Sequence, residues 1–211
     1  MTQISTQKVS TPQIASKQKI VLASNNQGKL KEFYHILAPM GFDLHSQVEF
    51  QVPDAPEPYF TFLENALTKA RHCAKLTGLP ALADDSGLCV NALHGAPGVL
   101  SARFAGEPKS DQRNNLKLVE SLAAHSDKSA YYYCVLVYVR SENDPQPVIA
   151  DGLWRGEIVA QARGDAGFGY DPHFYLRDLD KTVAQLASEQ KNLLSHRAKA
   201  LQALLAKLAQ D

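Results

Sequence analysis

Three cysteines in 211 residues, Cys73, Cys89 and Cys134, lie far apart and show no CxxC spacing. An odd, scattered set excludes both a disulfide framework and a zinc cage, and it is the cysteine usage of a chain kept in a reducing cytoplasm. No apolar run reaches the roughly 18 to 20 residues that a membrane-spanning helix needs. The opening MTQISTQKVSTPQIASKQK has no apolar stretch of the secretory kind, and it carries Lys but no Arg, unlike a transit peptide. Neither charge is in excess: 22 Lys and Arg balance 22 Asp and Glu. Without a basic field the chain has no means of holding a nucleic acid polymer, so any anion must be bound locally.

What the sequence does have is a 45% hydrophobic content, enough for a substantial core, and an alternation of strand-like and helix-like segments from Lys19 onward. Residues 1–16 are expected to form a disordered polar extension, and 17–211 a single α/β domain. KIVLAS reads as a strand. KLKEFYHILAPMGF places Leu30, Phe33, Ile36 and Leu37 on one helical face, ending near Pro39 and Gly41. A three-proline segment, QVPDAPEPYFTF, must be a loop. The next helix has Thr61 as its N-cap with Glu64 three residues on, and Gly78 and Pro80 as its stop. ALADDSGLCVNAL reads as strand, tight Asp-Ser-Gly turn, strand. YYYCVLVYVR, apolar almost throughout, has the pattern of a strand covered on both faces, at the middle of the sheet. PVIADG and LWRGEIVAQA read as two strands joined at Asp151 and Gly152. The C-terminal segment carries Leu194, Ala198, Leu201, Leu205 and Leu208 at helical spacing.

The chemistry concentrates in a few segments. SNNQGK joins the first strand to the first helix, where unpaired N–H groups, the helix dipole and the charge of Lys29 suit an anion. A P-loop would need an earlier Gly and a Ser or Thr after the Lys; here Leu30 follows. Spacing alone therefore leaves two readings, an anion site or a polar turn with left-handed Asn residues. If a polyphosphate binds, its Mg²⁺ needs oxygen ligands from elsewhere. Asp84 and Asp85 in ADDSG are the first candidates, and in a regular strand they point to opposite faces. Glu57, between prolines, has no structural explanation of its own, whereas the capping role accounts for Glu64. Lys69 shares a helix face with Asn65, either as a phosphate contact or as a solvated surface Lys. Phe168, Gly169, Tyr170 and Asp171 combine aromatic faces with a close-approach glycine and an acceptor, fit either for a nucleobase or for core packing. Ser195, His196 and Arg197 lie near the start of the last helix and offer further donors.

Taken in order, SNNQGK, FTFLENALTKA, ADDSGLCVNALHGAPGVLSARFAG, GFGYDPHF and LSHRAKAL resemble the inosine triphosphate pyrophosphatase-like family of XTP/dITP diphosphatases, over about residues 19–208. The resemblance implies a long, twisted mixed sheet of the Maf/Ham type, flanked by helices, in two lobes with a cleft between them. It also implies a homodimer and Mg²⁺-dependent cleavage between the α and β phosphorus atoms of deaminated purine triphosphates. By the same resemblance Ser24, Asn25, Asn26, Gln27, Gly28 and Lys29 match the triphosphate loop. Asp85 matches the proton acceptor and metal ligand, with Asp84 beside it, and Ser86 a substrate contact. Phe168, Gly169, Tyr170, Asp171, Lys191, His196 and Arg197 match the nucleoside-contacting positions. Glu57 matches a second metal ligand, although DAPEPYF departs from the adjacent acids and Thr-Gly of many relatives. Two other classes stay open: a Maf-like pyrophosphatase for other bases, and a nucleotide-binding module without catalysis, which would have no need of Asp84 and Asp85.

Overall fold

β1, Lys19–Leu22, feeds α1, Gln27–Leu37, through a loop that caps its own helix. The Asn26 side chain accepts from Lys29 N, and the Ser24 hydroxyl accepts from Asn26 N. The computed structural model describes residues 18–38 and 41–209, so the expected extension and the helix stop at Pro39 lie outside the described residues. After α1 comes a short strand that periodicity did not separate from the following loop, β2 (Asp43–Ser46), and then α2 (Phe62–Thr77). Thr61 caps α2 by accepting from Glu64 N and donating to the Glu64 carboxylate, and Gly78 ends it in a left-handed conformation.

The remaining elements are β3 (Ala81–Val90), α3 (Asp111–Leu122), β4 (Ser129–Val139), β5 (Val148–Ile158), β6 (Phe174–Leu176), β7 (Lys181–Thr182), α4 (Ser188–Leu194) and α5 (His196–Leu208). They form a seven-stranded mixed sheet in the order β2-β1-β3-β4-β5-β6-β7, parallel at β1's two contacts and antiparallel elsewhere. β4 is its middle strand, as the apolar run implies.

Three expectations are corrected. ADDSG is not a turn: β3 runs unbroken and pairs with β4 from Ala81 to Val90. Gly87 serves close packing, since a Cβ there would lie 2.4 Å from Gly98 O, in the 3₁₀ segment Gly98–Arg103. β5 is likewise one strand through Asp151 and Gly152, and Gly152 admits α5, whose His196 O would lie 2.1 Å from a Cβ. The C-terminal helix is in fact two, broken at Ser195, whose side chain caps α5 by accepting from Ala198 N.

Alternation along the strands divides the apolar interior. On one face, α1 and α5 contribute Phe33, Leu201 and Leu204 over Leu82, Leu136 and Ala150. On the other, the small residues Ala66, Ala70 and Ala74 of α2 lie on Ala81, Ala83 and Val137. A third cluster, Leu88, Tyr132, Trp154, Phe174 and Leu118 among them, forms the core of the other half of the sheet. The two halves are the two lobes, and β3, β4 and β5 run through both.

Candidate active site

The cleft between the lobes has a volume of about 650 Å³ and opens where β1 stops. β1 pairs with β3 only at Ala81 and Leu82, so beyond Leu82 that edge of β3 carries no strand. The strand continues, and its alternating side chains flank the open edge from both faces. This is how both carboxylates reach one cavity without any break in β3.

Asp84 points to the side of α1 and α5. Its Oδ2 accepts from Lys29 Nζ at 2.8 Å and from Arg197 Nη2 at 3.4 Å, and Ser86 Oγ donates to the same oxygen at 3.0 Å. Burial alone would raise its pKa, but Lys29, Arg197 and Lys69 together hold it well below the ordinary carboxylate range. Asp85 points to the side of α2. Asn65 Nδ2 donates to its Oδ2 at 3.3 Å and Lys69 Nζ to its Oδ1 at 3.1 Å. Here burial, with the neighbouring Glu57 and Asp84, outweighs Lys69 and Lys29, and the pKa is raised. Two adjacent acids are thus pushed in opposite directions.

Lys69 is not a solvated surface Lys. Its ammonium is largely buried and bridges Glu57 Oε1, at 2.8 Å, and Asp85 Oδ1. Two carboxylates from different segments therefore converge on a single cationic point. Among the described residues no three His, Cys, Asp or Glu side chains form a metal-binding group. Two carboxylates with the remaining positions left to phosphate oxygens and water is nevertheless the donor set Mg²⁺ takes in phosphate chemistry, so Glu57 and Asp85 fit that ion.

At the loop, Asn25 and Asn26 both have negative φ, which removes the left-handed-turn reading. The N–H groups of Gln27 and Gly28, in the first turn of α1, take no partner from within the described residues. Ser24, Asn25, Asn26 and Lys29 line the cleft; the Gln27 and Gly28 side positions do not. Gly28 instead makes room for Phe168, whose ring would lie 3.1 Å from a Cβ.

The opposite wall is a buried polar chain. Asp171 accepts from Tyr132 OH at 3.0 Å, Phe168 N at 3.0 Å and Lys191 Nζ at 2.7 Å. Lys191 also reaches Glu32 at 3.4 Å and lies 4.4 Å over the Phe168 ring. Glu32 then pairs with Arg197, whose Nη2 donates to Ser86 Oγ at 3.0 Å. Gly169 and Tyr170 complete this wall, the Tyr170 hydroxyl donating to Ser101 O at 2.8 Å. The guanidinium of Arg197, 1% exposed, is therefore committed to Glu32, Asp84 and Ser86. Sequence reasoning missed Glu32 and Tyr132. The signal for Glu32 was its place three residues after Lys29, on the same helical face; Tyr132 sits inside an apolar strand and gave none.

His196 stacks on Tyr132, with centroids 4.9 Å apart and planes at 16°, and its buried Nδ1 has no partner. Burial, then Arg197 and Lys191, depresses its pKa well below the ordinary value, so the folded chain holds it neutral. An unfolded chain takes up the proton as pH falls through about 6.5, and the folded one does not, so stability is lost on that side. Between pH 7.5 and 5.5 the loss from this residue is expected to be about 1 kcal/mol. Urea unfolding at both pH values should show that difference shrinking in His196→Gln.

These features define a mixed-sheet α/β protein with a cation-lined cleft between two packed cores. The chain belongs to the Ham1 family, whose model matches residues 20–207. It is 61% identical over 190 residues to the dITP/XTP pyrophosphatase of Chromobacterium violaceum, covering 90% of this chain and 96% of that one. With the protein of the same name from Nitrosomonas europaea it shares 59% over 193 residues, 92% and 95% of the two chains. A solved HAM1 protein structure from Coxiella burnetii superposes with a TM-score of 0.86 at 48% identity, covering 92% of this chain and all of that one. The Staphylococcus aureus Ham1 structure gives 0.82 at 42%, with 92% and 99% covered.

Proposed function

We propose that this chain is a cytoplasmic, homodimeric, Mg²⁺-dependent pyrophosphohydrolase, with 17–211 as its single catalytic domain. Its substrates are ITP, dITP and XTP, which it converts to the nucleoside monophosphate and pyrophosphate, keeping deaminated purines out of DNA and RNA. The carrying observation is the convergence of Glu57 and Asp85 on one cationic point beside the N-terminus of α1, within a cleft whose far wall is aromatic and polar. The names of the relatives support the base preference.

The first turn of α1 and Lys29 take the triphosphate, with Ser24 and Asn26 shaping the loop. Asp84 keeps the Lys29 ammonium directed into the cleft. Lys69 holds Glu57 and Asp85 at a fixed separation and has a third N–H to offer a phosphate oxygen. Those two carboxylates would hold Mg²⁺, which would supply charge neutralisation at the phosphate oxygens. Asp85 orients the attacking water and takes its proton, and Asn65 fixes the carboxylate for this task. Phe168 offers a ring face to the base, and Tyr170 and Asp171 set the position of that loop. The neutral His196, whose Nδ1 has no partner, is the donor on this wall nearest to being available, since Lys191 is paired with Asp171 and Glu32, and Arg197 acts by holding Ser86 and Asp84. A donor set of this kind favours a 6-keto purine and leaves groups unpaired against a 6-amino one.

The test is incubation with Mg²⁺ and, separately, ITP, dITP, XTP, GTP and ATP, with pyrophosphate and orthophosphate assayed independently. Pyrophosphate from the first three and little from the last two is expected. Orthophosphate from all five would replace the reading by a general phosphatase, and nucleotide binding without product by a non-catalytic module.

A further inference from the structure

Six cationic side chains line the cleft, and four of them are engaged: Lys29 with Asp84, Lys69 with Glu57 and Asp85, Lys191 with Asp171, and Arg197 with Glu32 and Asp84. Among the described residues Lys109 and Arg103 have no hydrogen-bond acceptor. They differ in how they are held. The backbone around Arg103 is clamped by buried side chains: Asn114 donates to Ala102 O at 3.1 Å and accepts from Ala105 N at 2.8 Å, while Tyr170 holds Ser101 O. Ser101 itself accepts from Leu88 N at 2.9 Å, locking the 3₁₀ segment to β3 just beyond Asp85 and Ser86. Lys109 is exposed, and the bonds beside it, from Arg113 to Pro108 O and to Ser110 Oγ, lie at the surface. A guanidinium on so fixed a base, with five donors and only one distant neighbour, is built for a ligand that comes and goes.

That one neighbour gives its direction. Arg103 Nη1 lies 3.9 Å from Glu57 Oε2, while the other oxygen of the same carboxylate takes Lys69, which in turn reaches Asp85. Arg103 thus stands at the second oxygen of the Glu57 carboxylate, on the lining of the same cleft. We propose that Arg103 binds the leaving pyrophosphate, its planar fork gripping the oxygens of the terminal phosphate; this rests on the reading of the site given above. In the balanced reaction, water adds to the α phosphorus as the bond to the bridging oxygen breaks, and the pyrophosphate carries the electron pair away. A bidentate guanidinium at that group stabilises the charge as it develops.

Arg103→Gln and Arg103→Lys, both at a partly exposed side chain, should fold normally. For dITP, kcat/KM is expected to fall about 100-fold in Arg103→Gln, with Arg103→Lys recovering only a part. For dIDP, whose leaving group lacks that terminal phosphate, the loss should be under about threefold. Calorimetric titration with pyrophosphate in the presence of Mg²⁺ reads the same contact without turnover, and the affinity should drop about tenfold or more. Unchanged pyrophosphate affinity in Arg103→Gln, or equal losses on dITP and dIDP, would overturn the assignment and leave Arg103 as a companion of Glu57. A wild-type protein that binds pyrophosphate but yields none from dITP would instead overturn the proposed function.

Discussion

Asp85→Asn is expected to lower kcat for dITP by about 1000-fold while leaving the protein as stable as before, or more so. The activity loss follows from removing both the proposed proton acceptor and one of two carboxylates at the cationic point. The stability follows from the raised pKa of Asp85, which burial causes first: the fold disfavours this carboxylate's charge. A carboxyl raised above its unfolded value penalises the folded state above the unfolded pKa, so at neutral pH removal of the charge relieves that penalty. Asp84 has the opposite sign. Its pKa is depressed, so its stabilisation is present above the unfolded value and lost as pH falls toward the folded one. Asp84→Asn should therefore destabilise, by about 3 kcal/mol or more, because Lys29 and Arg197 lose the charge they share. Thermal melts of both variants at pH 7.5 with EDTA check the pair; equal shifts in the same direction would contradict the division of roles.

The second large effect is expected far from any phosphate. Gly152→Ala introduces a Cβ that would lie 2.1 Å from His196 O and 2.5 Å from Ala200 N, both backbone atoms of α5. Neither can turn aside as a side-chain tip could, so helix and strand must part. A cost of about 3 kcal/mol or more is expected, read from the urea midpoint. Since α5 carries His196 and Arg197 at its first turn, activity should fall with it, and more steeply than the folded fraction. An unaltered midpoint would mean that α5 slides freely on β5.

Gly152 and Gly87 also explain where sequence reasoning went astray. Asp-Gly and Ser-Gly are strong turn signals, and both were read as such. In each case the glycine sits inside an unbroken strand, and what it provides is room for a neighbour that only the tertiary fold brings there. The caps of α2, the central position of β4 and the strand-loop-helix at SNNQGK were legible because they depend on neighbours within a few residues. Glu32 was not, because the charge that explains its burial is Arg197, 165 positions away. The same holds for Lys69: as a helix surface residue it looked solvated, and only the arrival of β3 and of the loop carrying Glu57 buries it.

The unbroken passage of β3, β4 and β5 through both lobes has a mechanical consequence. A hinge needs a few residues free to change φ and ψ, and the ten-residue ladder between β3 and β4 offers none at the floor of the cleft. Relative rotation of the lobes as rigid bodies would have to tear that ladder. Motion that admits a nucleotide or lets pyrophosphate out is thereby confined to the rim, residues 23–26, 53–61 and 160–170. In hydrogen exchange the rim should trade its amide protons early, and the three long strands late and together.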